Sequence, residues 1–260
     1  MPKLLAVAHL KGGTGASSVA IGLAAGLALR SPKARKSQGT EDPRILLLDL
    51  DPVAAATFAL LEEPEGWLAD ALEGRTRLDR ALSPTAVPGL VVGAADQRLS
   101  AWDRKPERFP VALSRLLETI PDTVETVLLD LPPSAGSIVR GTLAVLPGGR
   151  VLAPVQTRPL DLVGFADLVE LLEELQEQND ELRLAGIIPT RVARTKLSED
   201  VLEALRQEHG AKLLPGIREA VAVARSPLKR KPVQLTNPRS GAAEDFDALT
   251  RAVLTKVLRD

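Results

Sequence analysis

Short apolar runs alternate with longer amphipathic stretches along almost the whole chain. Runs of strand length fall at 4–8, 45–48, 90–92, 124–129, 151–154, 185–188 and 212–214. Most are continuously apolar instead of alternating, the pattern of parallel strands covered on both faces. Between them the spacing predicts helices over 17–29, 66–72, 110–120, 136–146, 162–178 and 197–208, and a last one over 242–258. This rhythm predicts an α/β fold, a doubly wound and mostly parallel sheet with helices on both faces. Residues 30–43, rich in Ser, Gly, Lys and Arg, read as a surface loop. In such folds ligands collect at the carboxyl ends of the strands, so the residues just after each strand are where chemistry is expected.

Length and composition narrow the picture. A chain of 260 residues is expected to form a single domain, 1–260, with a substantial core. No apolar run approaches the roughly 18 residues of a membrane span. Met1-Pro2-Lys3-Leu4 enters the first strand without a cleavable signal pattern, which predicts a cytoplasmic protein with no membrane attachment. Cysteine is absent, which excludes disulfides, thiolate metal sites and thiol catalysis. The two histidines, His9 and His209, are too few for a His-rich metal site. His9 reads as a strand-end residue with a satisfied hydrogen bond, His209 as a helix C-terminal residue. Trp67 and Trp102 stand alone and read as packing residues. Net charge is only −1, yet residues 161–181 hold eight acids and no base, and 183–239 hold twelve bases against five acids. A basic face for a polyanion fits that asymmetry, and so does a set of solvated basic loops.

Three strand ends carry chemistry. After the first, Lys11-Gly12-Gly13-Thr14-Gly15-Ala16-Ser17-Ser18 has the glycines that let backbone approach phosphate, and it opens a helix whose N-terminus favours an anion. Ser17 is the hydroxyl that would ligate Mg²⁺, while Ser18 is placed to bond a phosphate or to cap the helix. After the second, Asp49 and Asp51 are two apart in extended backbone and share a side. One is suited to brace the loop or hold a metal-bound water, the other to orient an attacking water; a cap and a solvated carboxylate is the plainer alternative. The third ends in Asp130-Leu131-Pro132-Pro133, which has the form of an apolar strand ending in Asp, the Walker B pattern that binds Mg²⁺ in P-loop NTPases.

The order and wording of these segments resemble the ParA/MinD family of deviant Walker-box ATPases, and its ParA (Soj-like) branch in particular. The likeness continues through Ala153-Pro154-Val155-Gln156, Gly186-Ile187-Ile188-Pro189-Thr190 and Ile217-Arg218-Glu219-Ala220-Val221, and so spans nearly the whole chain. The resemblance implies an ATP-driven switch for chromosome or plasmid partitioning. Gly12, Gly13, Thr14, Gly15, Ala16, Ser17, Ser18, Asp49 and Pro189 would hold ATP. Ser17 and Asp130 would hold Mg²⁺, Asp51 would place the hydrolytic water, and Lys11 would reach the phosphates of a second protomer. The ATP-bound homodimer would bind DNA non-specifically in the nucleoid, until a centromere-binding, ParB-like partner triggers hydrolysis. Arg191, Arg194, Lys196, Arg218, Lys229, Arg230, Lys231 and Arg239 are the candidate DNA contacts, through phosphates and therefore sensitive to salt.

One departure dominates. The family has lysine where this chain has Ala16, and a methyl group cannot replace a charge-assisted phosphate contact worth roughly 1.5–3 kcal/mol. Weak ATP binding, very slow hydrolysis, or both are expected. A natural member that has lost turnover and a copy whose lysine has been replaced both fit. His9, Leu10, Val53 and Gly141 also depart from the family's usual Asn, Gln, Gln and Asn. The absence of cysteine argues against the iron-protein and cluster-carrier relatives, and the absence of tyrosine against the tyrosine-kinase relatives. The mixed charges of the last helix fit core docking and not a membrane anchor. Two alternatives stay open: a non-hydrolysing Walker-box protein that binds DNA or a partner constitutively, and a positioner of another cargo. An ATP-dependent ligase of the dethiobiotin-synthetase type shares the fold, but no small-acid site is recognisable.

Overall fold

Val7, Asp49 and Asp130 stand at the ends of three neighbouring strands, and the topology explains why. In the computed structural model, residues 2–34 and 42–259 are described. Residues 35–41 of the expected 30–43 loop lie outside them. Along the chain run β1 (Lys3–Val7), α1 (Ala16–Arg30), β2 (Ile45–Asp49), α2 (Ala55–Leu60), α3 (Leu68–Leu72), α4 (Leu78–Ala81), β3 (Leu82–Pro84) and β4 (Leu90–Gly93). A 3₁₀ segment, Gln97–Arg104, leads to α5 (Arg108–Glu118), β5 (Thr126–Asp130), α6 (Ser137–Val145), β6 (Arg150–Gln156), α7 (Pro159–Leu175), β7 (Arg183–Thr190) and α8 (Lys196–His209). Short helices α9 (Val221–Arg225) and α10 (Val233–Thr236) precede α11 (Gly241–Ala252), which passes into a π turn at Val253–Val257.

The sheet has seven strands in the order β3-β4-β2-β5-β1-β6-β7, parallel except for β3. The doubly wound fold is as expected. Alternate residues of each apolar run feed opposite cores: Leu4 and Ala6 of β1 pack under α3, α5, α6 and α7, while Leu5 and Val7 pack under α1 and α11. Register then lines up the strand ends, with Val7 opposite Asp130 and Asp130 opposite Asp49.

Some elements differ from the sequence pattern. Residues 212–214 are not a strand; the chain makes a 3₁₀ turn at Gly210–Lys212, and Leu213 forms an isolated bridge to Ile187. The 3₁₀ turn takes up Gly210–Lys212 and Pro215 has no N–H to donate, so of the expected run only Leu213 and Leu214 reach β7. β3, by contrast, is too short for any period to show. α7 starts at Pro159, earlier than expected, because proline suits the first helical turn. The last helix docks in the core as expected, with Leu249, Val253 and Leu258 buried, although Leu254 faces outward. Among the described residues no helix is long and apolar enough to cross a membrane.

Candidate functional site

The loop between β1 and α1 is shaped by two left-handed glycines, Gly13 at φ 83° and Gly15 at φ 84°. A side chain at either would be strained. From β6, Gln156 Nε2 donates to the Gly13 carbonyl; from β7, Thr190 Oγ1 donates to the Thr14 carbonyl at 2.6 Å. The loop is thus stapled from two strands behind it. α1 begins directly after Gly15, with no side chain capping it and no acid in its first turn. Ser18 lies inside the helix and does not cap. The first-turn N–H groups therefore remain available to an anion. Ala16 is buried at 3% exposure, so a methyl group occupies the lysine slot at the helix start.

Asp49, Asp51 and Asp130 converge at the ends of β2 and β5. Asp49 is braced: Oδ2 accepts from the Thr57 N–H and hydroxyl, both at 2.8 Å, and Oδ1 accepts from the Asp51 N–H. Burial nevertheless raises its pKa from 3.8 to about 6; those hydrogen bonds oppose the shift and the Asp51 charge adds to it. Asp51 accepts from the Val53 N–H at 2.9 Å, which closes a turn at left-handed Ala54. Asp130 differs from both. It is fully buried, and neither oxygen accepts a hydrogen bond. Burial, then the charge of Asp49, hold its carboxyl well above the usual range. The Ser17 hydroxyl is close enough to oppose that shift, but short of hydrogen-bonding geometry.

A buried carboxylate without a partner beside an uncapped helix fits a metal–nucleotide complex. The orphaned Asp130 oxygens and the hydroxyls of Ser17 and Thr14 are oxygen donors suited to Mg²⁺ and phosphate. Among the described residues no cluster of His, Cys, Asp and Glu forms a metal cage of its own.

Lys11 is not turned toward this pocket's carboxylates. Its Nζ lies 3.0 Å from Asp161 Oδ1 in the first turn of α7, and it donates to the Leu160 carbonyl at 3.4 Å. Leu160 and Val163, flanking this contact, are 74% and 60% exposed. His9 Nδ1 sits 3.0 Å from the Lys11 carbonyl, the satisfied strand-end histidine expected, and burial lowers its pKa. His209, at the end of α8, packs edge-on against Phe165. Pro189, near the end of β7, lines a cavity of about 860 Å³ with Val192, Pro215 and Gly216. Gly141 lies against Phe109 and Pro110, so its missing side chain serves packing.

The candidate DNA contacts fall into two groups. Arg191, Arg194, Lys196 and Arg218 gather after β7, where Val192 bridges Arg218. Arg239 is two residues before Gly241, over which Arg218 packs. Two of these cations already have acidic partners: Arg218 is held by Asp245 through two 2.7 Å hydrogen bonds, and Lys196 pairs with Asp200 at 2.9 Å. The second group lies over α2. Arg230, left-handed at φ 52°, places its guanidinium 3.6 Å from the Phe58 ring centroid and donates to the Phe58 carbonyl. Lys229 and Lys231 on either side are exposed and unpaired. The sequence did not reveal Asp161, Thr57 and Phe58. Asp161 was hidden in an acidic run, and only the burial at the helix start distinguishes it.

Known proteins are similar to this chain in sequence and in fold. A family described as an AAA domain matches residues 2–184. The chromosome-partitioning ATPase Soj of Thermus thermophilus is 34% identical over 97% of this chain and 96% of its own length. The Caulobacter vibrioides chromosome partitioning protein ParA is 28% identical over 98% of this chain and 94% of its own. Among solved structures, a Borrelia burgdorferi putative plasmid partition protein bound to AMPPNP covers 99% of this chain and 100% of its own, with TM-score 0.80 and 18% identity. Cell division ATPase MinD of Pyrococcus furiosus covers 98% and 99%, with TM-score 0.74 and 22% identity. At those identities the structures speak for the fold.

Proposed function

The chain belongs to the ParA/MinD family of deviant Walker-box ATPases, and from that premise we propose that it is a partitioning switch whose nucleotide site is weakened at Ala16. The carrying observation is Asp130, a buried carboxylate with no partner beside Ser17 and a preformed phosphate loop. α1's N-terminus and the Gly12–Gly15 backbone would bind the phosphates, and Ser17 and Asp130 would hold the accompanying magnesium. Bound there, magnesium supplies neutralisation of phosphate charge. Asp51 holds the attacking water, and Asp49 braces the turn that carries it. Lys11, on a face with exposed Leu160 and Val163, supports association with a second copy through that face. Non-specific DNA binding would then use the free cations Arg191, Arg194, Lys229, Lys231 and Arg239, together with Arg230, with release triggered by a ParB-like partner.

A second reading rests on Ala16 itself. Gln156 and Thr190 hold the loop through the chain's own hydrogen bonds, so a chain that has lost turnover would keep the loop's shape and bind DNA or a partner constitutively.

One experiment separates them: ATP binding, self-association and DNA retention, with and without ATP, for this chain and for Ala16→Lys. Gain of ATP-dependent self-association and DNA retention in Ala16→Lys marks a switch disabled at one position. DNA retention equal with and without ATP in both proteins supports the constitutive binder. If Ala16→Lys fails to bind nucleotide, the ATPase reading is wrong.

A further inference from the structure

α5 carries unneutralised cations into a large cavity on the opposite side of the sheet from α1. The cavity, about 1080 Å³, opens between the α3–α4 connection and α5. Its floor is apolar, built from the buried side chains of Leu72, Leu78, Leu116 and Trp102. On the α3–α4 side the cations are already answered, Arg75 by Asp70 and Glu73, Arg77 by Asp79. On the α5 side they are not. Arg108 and Arg115 are exposed and have no acidic partner, and Lys105 rests only on the Trp102 ring, 4.8 Å from its centroid. Glu107 is the one unpaired acid in the lining, so this wall keeps a net positive charge.

The spacing on that wall is specific. Arg108, Val111, Ala112 and Arg115 follow the i, i+3, i+4, i+7 pattern of one helix face, and all four line the cavity. Val111 is 51% exposed, an apolar side chain with nothing over it. The two arginines are about 10 Å apart along the axis. A small polyanion would satisfy the arginines but leave Val111 and Ala112 wet. A partner helix running beside α5 does both, because its own carboxylates recur at two turns with apolar positions between them.

We propose that this cavity docks an acidic amphipathic helix of a partner protein, its carboxylates on Arg108 and Arg115 and its apolar side chains over Val111 and Ala112. The charge-assisted bonds set the register, and covering Val111 removes apolar surface from water. This surface is independent of the nucleotide site, so it operates whether or not Ala16 permits turnover.

The chain supplies its own reporter, since Trp67 and Trp102 are its only tryptophans and it has no tyrosine. In full-length Trp67→Phe protein, emission comes from Trp102 alone, whose ring is covered by Lys105. The probe is a synthetic amphipathic helical peptide with glutamates two turns apart and leucines between them. A saturable change in Trp102 emission is expected, with affinity lowered by about tenfold or more when Arg108→Glu and Arg115→Glu are combined. Circular dichroism confirms that the variant is folded, and a matched peptide with glutamine for glutamate should give no response. Binding of the glutamine peptide, intact binding by the folded reversal variant, or the same saturable change with inorganic tripolyphosphate would each overturn the proposal. So would an emission change that follows protein concentration alone, which would make a second copy the occupant.

Discussion

Lys11 Nζ and Asp161 Oδ1 form a 3.0 Å ion pair in which the lysine is half exposed and the aspartate buried. The two ends fare unequally if the pair breaks: Lys11 regains water, while Asp161 is left desolvated. Any reach of Lys11 toward a second protomer works against this contact. Asp161→Asn removes the charge that holds it back. In an Ala16→Lys background, ATP-dependent self-association should then need roughly five- to thirty-fold less protein, the equivalent of about 1–2 kcal/mol. Sedimentation velocity with ATP and magnesium reads this directly. An unchanged association midpoint would mean that Lys11 does not leave Asp161 on assembly.

The basic residues separate by what already holds them. Lys229 and Lys231 are unpaired, whereas Arg218 is committed to Asp245. Replacing both lysines with glutamine should weaken DNA binding on every sequence alike and lower the log–log salt slope by about one for each phosphate no longer neutralised. Arg218→Gln should leave that slope as it was and act on stability instead. Fluorescence anisotropy across a salt series distinguishes them, and a slope change confined to Arg218→Gln would reverse the assignment.

Asp130 and Asp49 also make stability depend on pH. Each holds its proton more tightly in the folded chain than in the unfolded one. Between the ordinary carboxyl value and the raised one, the folded state therefore carries more protons, and stability falls as pH rises. For Asp49 that window runs from 3.8 to about 6. Asp130 acts in the same direction. Because neither Asp130 oxygen has a partner, Asp130→Asn removes a desolvated titrating group and sacrifices no hydrogen bond. Nucleotide-free protein at pH 8 should gain on the order of 1–3 kcal/mol, at about 2–4 °C in Tm per kcal/mol. The same substitution should abolish retention of magnesium and ATP by Ala16→Lys. Calorimetry showing no gain at pH 8 would count against an unpaired Asp130 that is costly to ionise in the folded chain.

Thr190 and Gln156 should matter to the loop before any ligand arrives. Thr190→Val deletes a buried hydrogen bond to the Thr14 carbonyl, at a cost of about 1 kcal/mol or more. Hydrogen exchange across residues 11–15 should speed up in that variant while the sheet stays protected. Equal exchange in both proteins would show that the glycines alone set the loop.

The sequence revealed the fold and the loops far better than what holds the loops. Continuous apolar runs announced six of the sheet's strands because parallel strands are covered on both faces, whereas β3 left no period to read. The Gly-rich loop, Asp49, Asp51 and Asp130 were legible because each directly follows such a run. Register then brought Asp49 opposite Asp130, which spacing along the chain could not show. Asp161 looked like one acid among eight. Arg218 looked like a free cation until Asp245, 27 residues further on, turned out to be its partner. Contacts across that distance leave no local pattern.

Both margins of the sheet are blunted. β3 is three residues long, runs antiparallel and ends at Pro84, which has no N–H to offer. On the far side, Leu214 and Ile217 donate to the carbonyls of Ile187 and Pro189 and occupy the outer rim of β7. Copies of this chain therefore have little open backbone to zip onto one another strand by strand. If the proposed self-association takes place, it gains from that protection, because an uncontrolled seam at a sheet edge would compete with the face carrying Lys11. Any such association is left to side chains, and side-chain contacts can be undone.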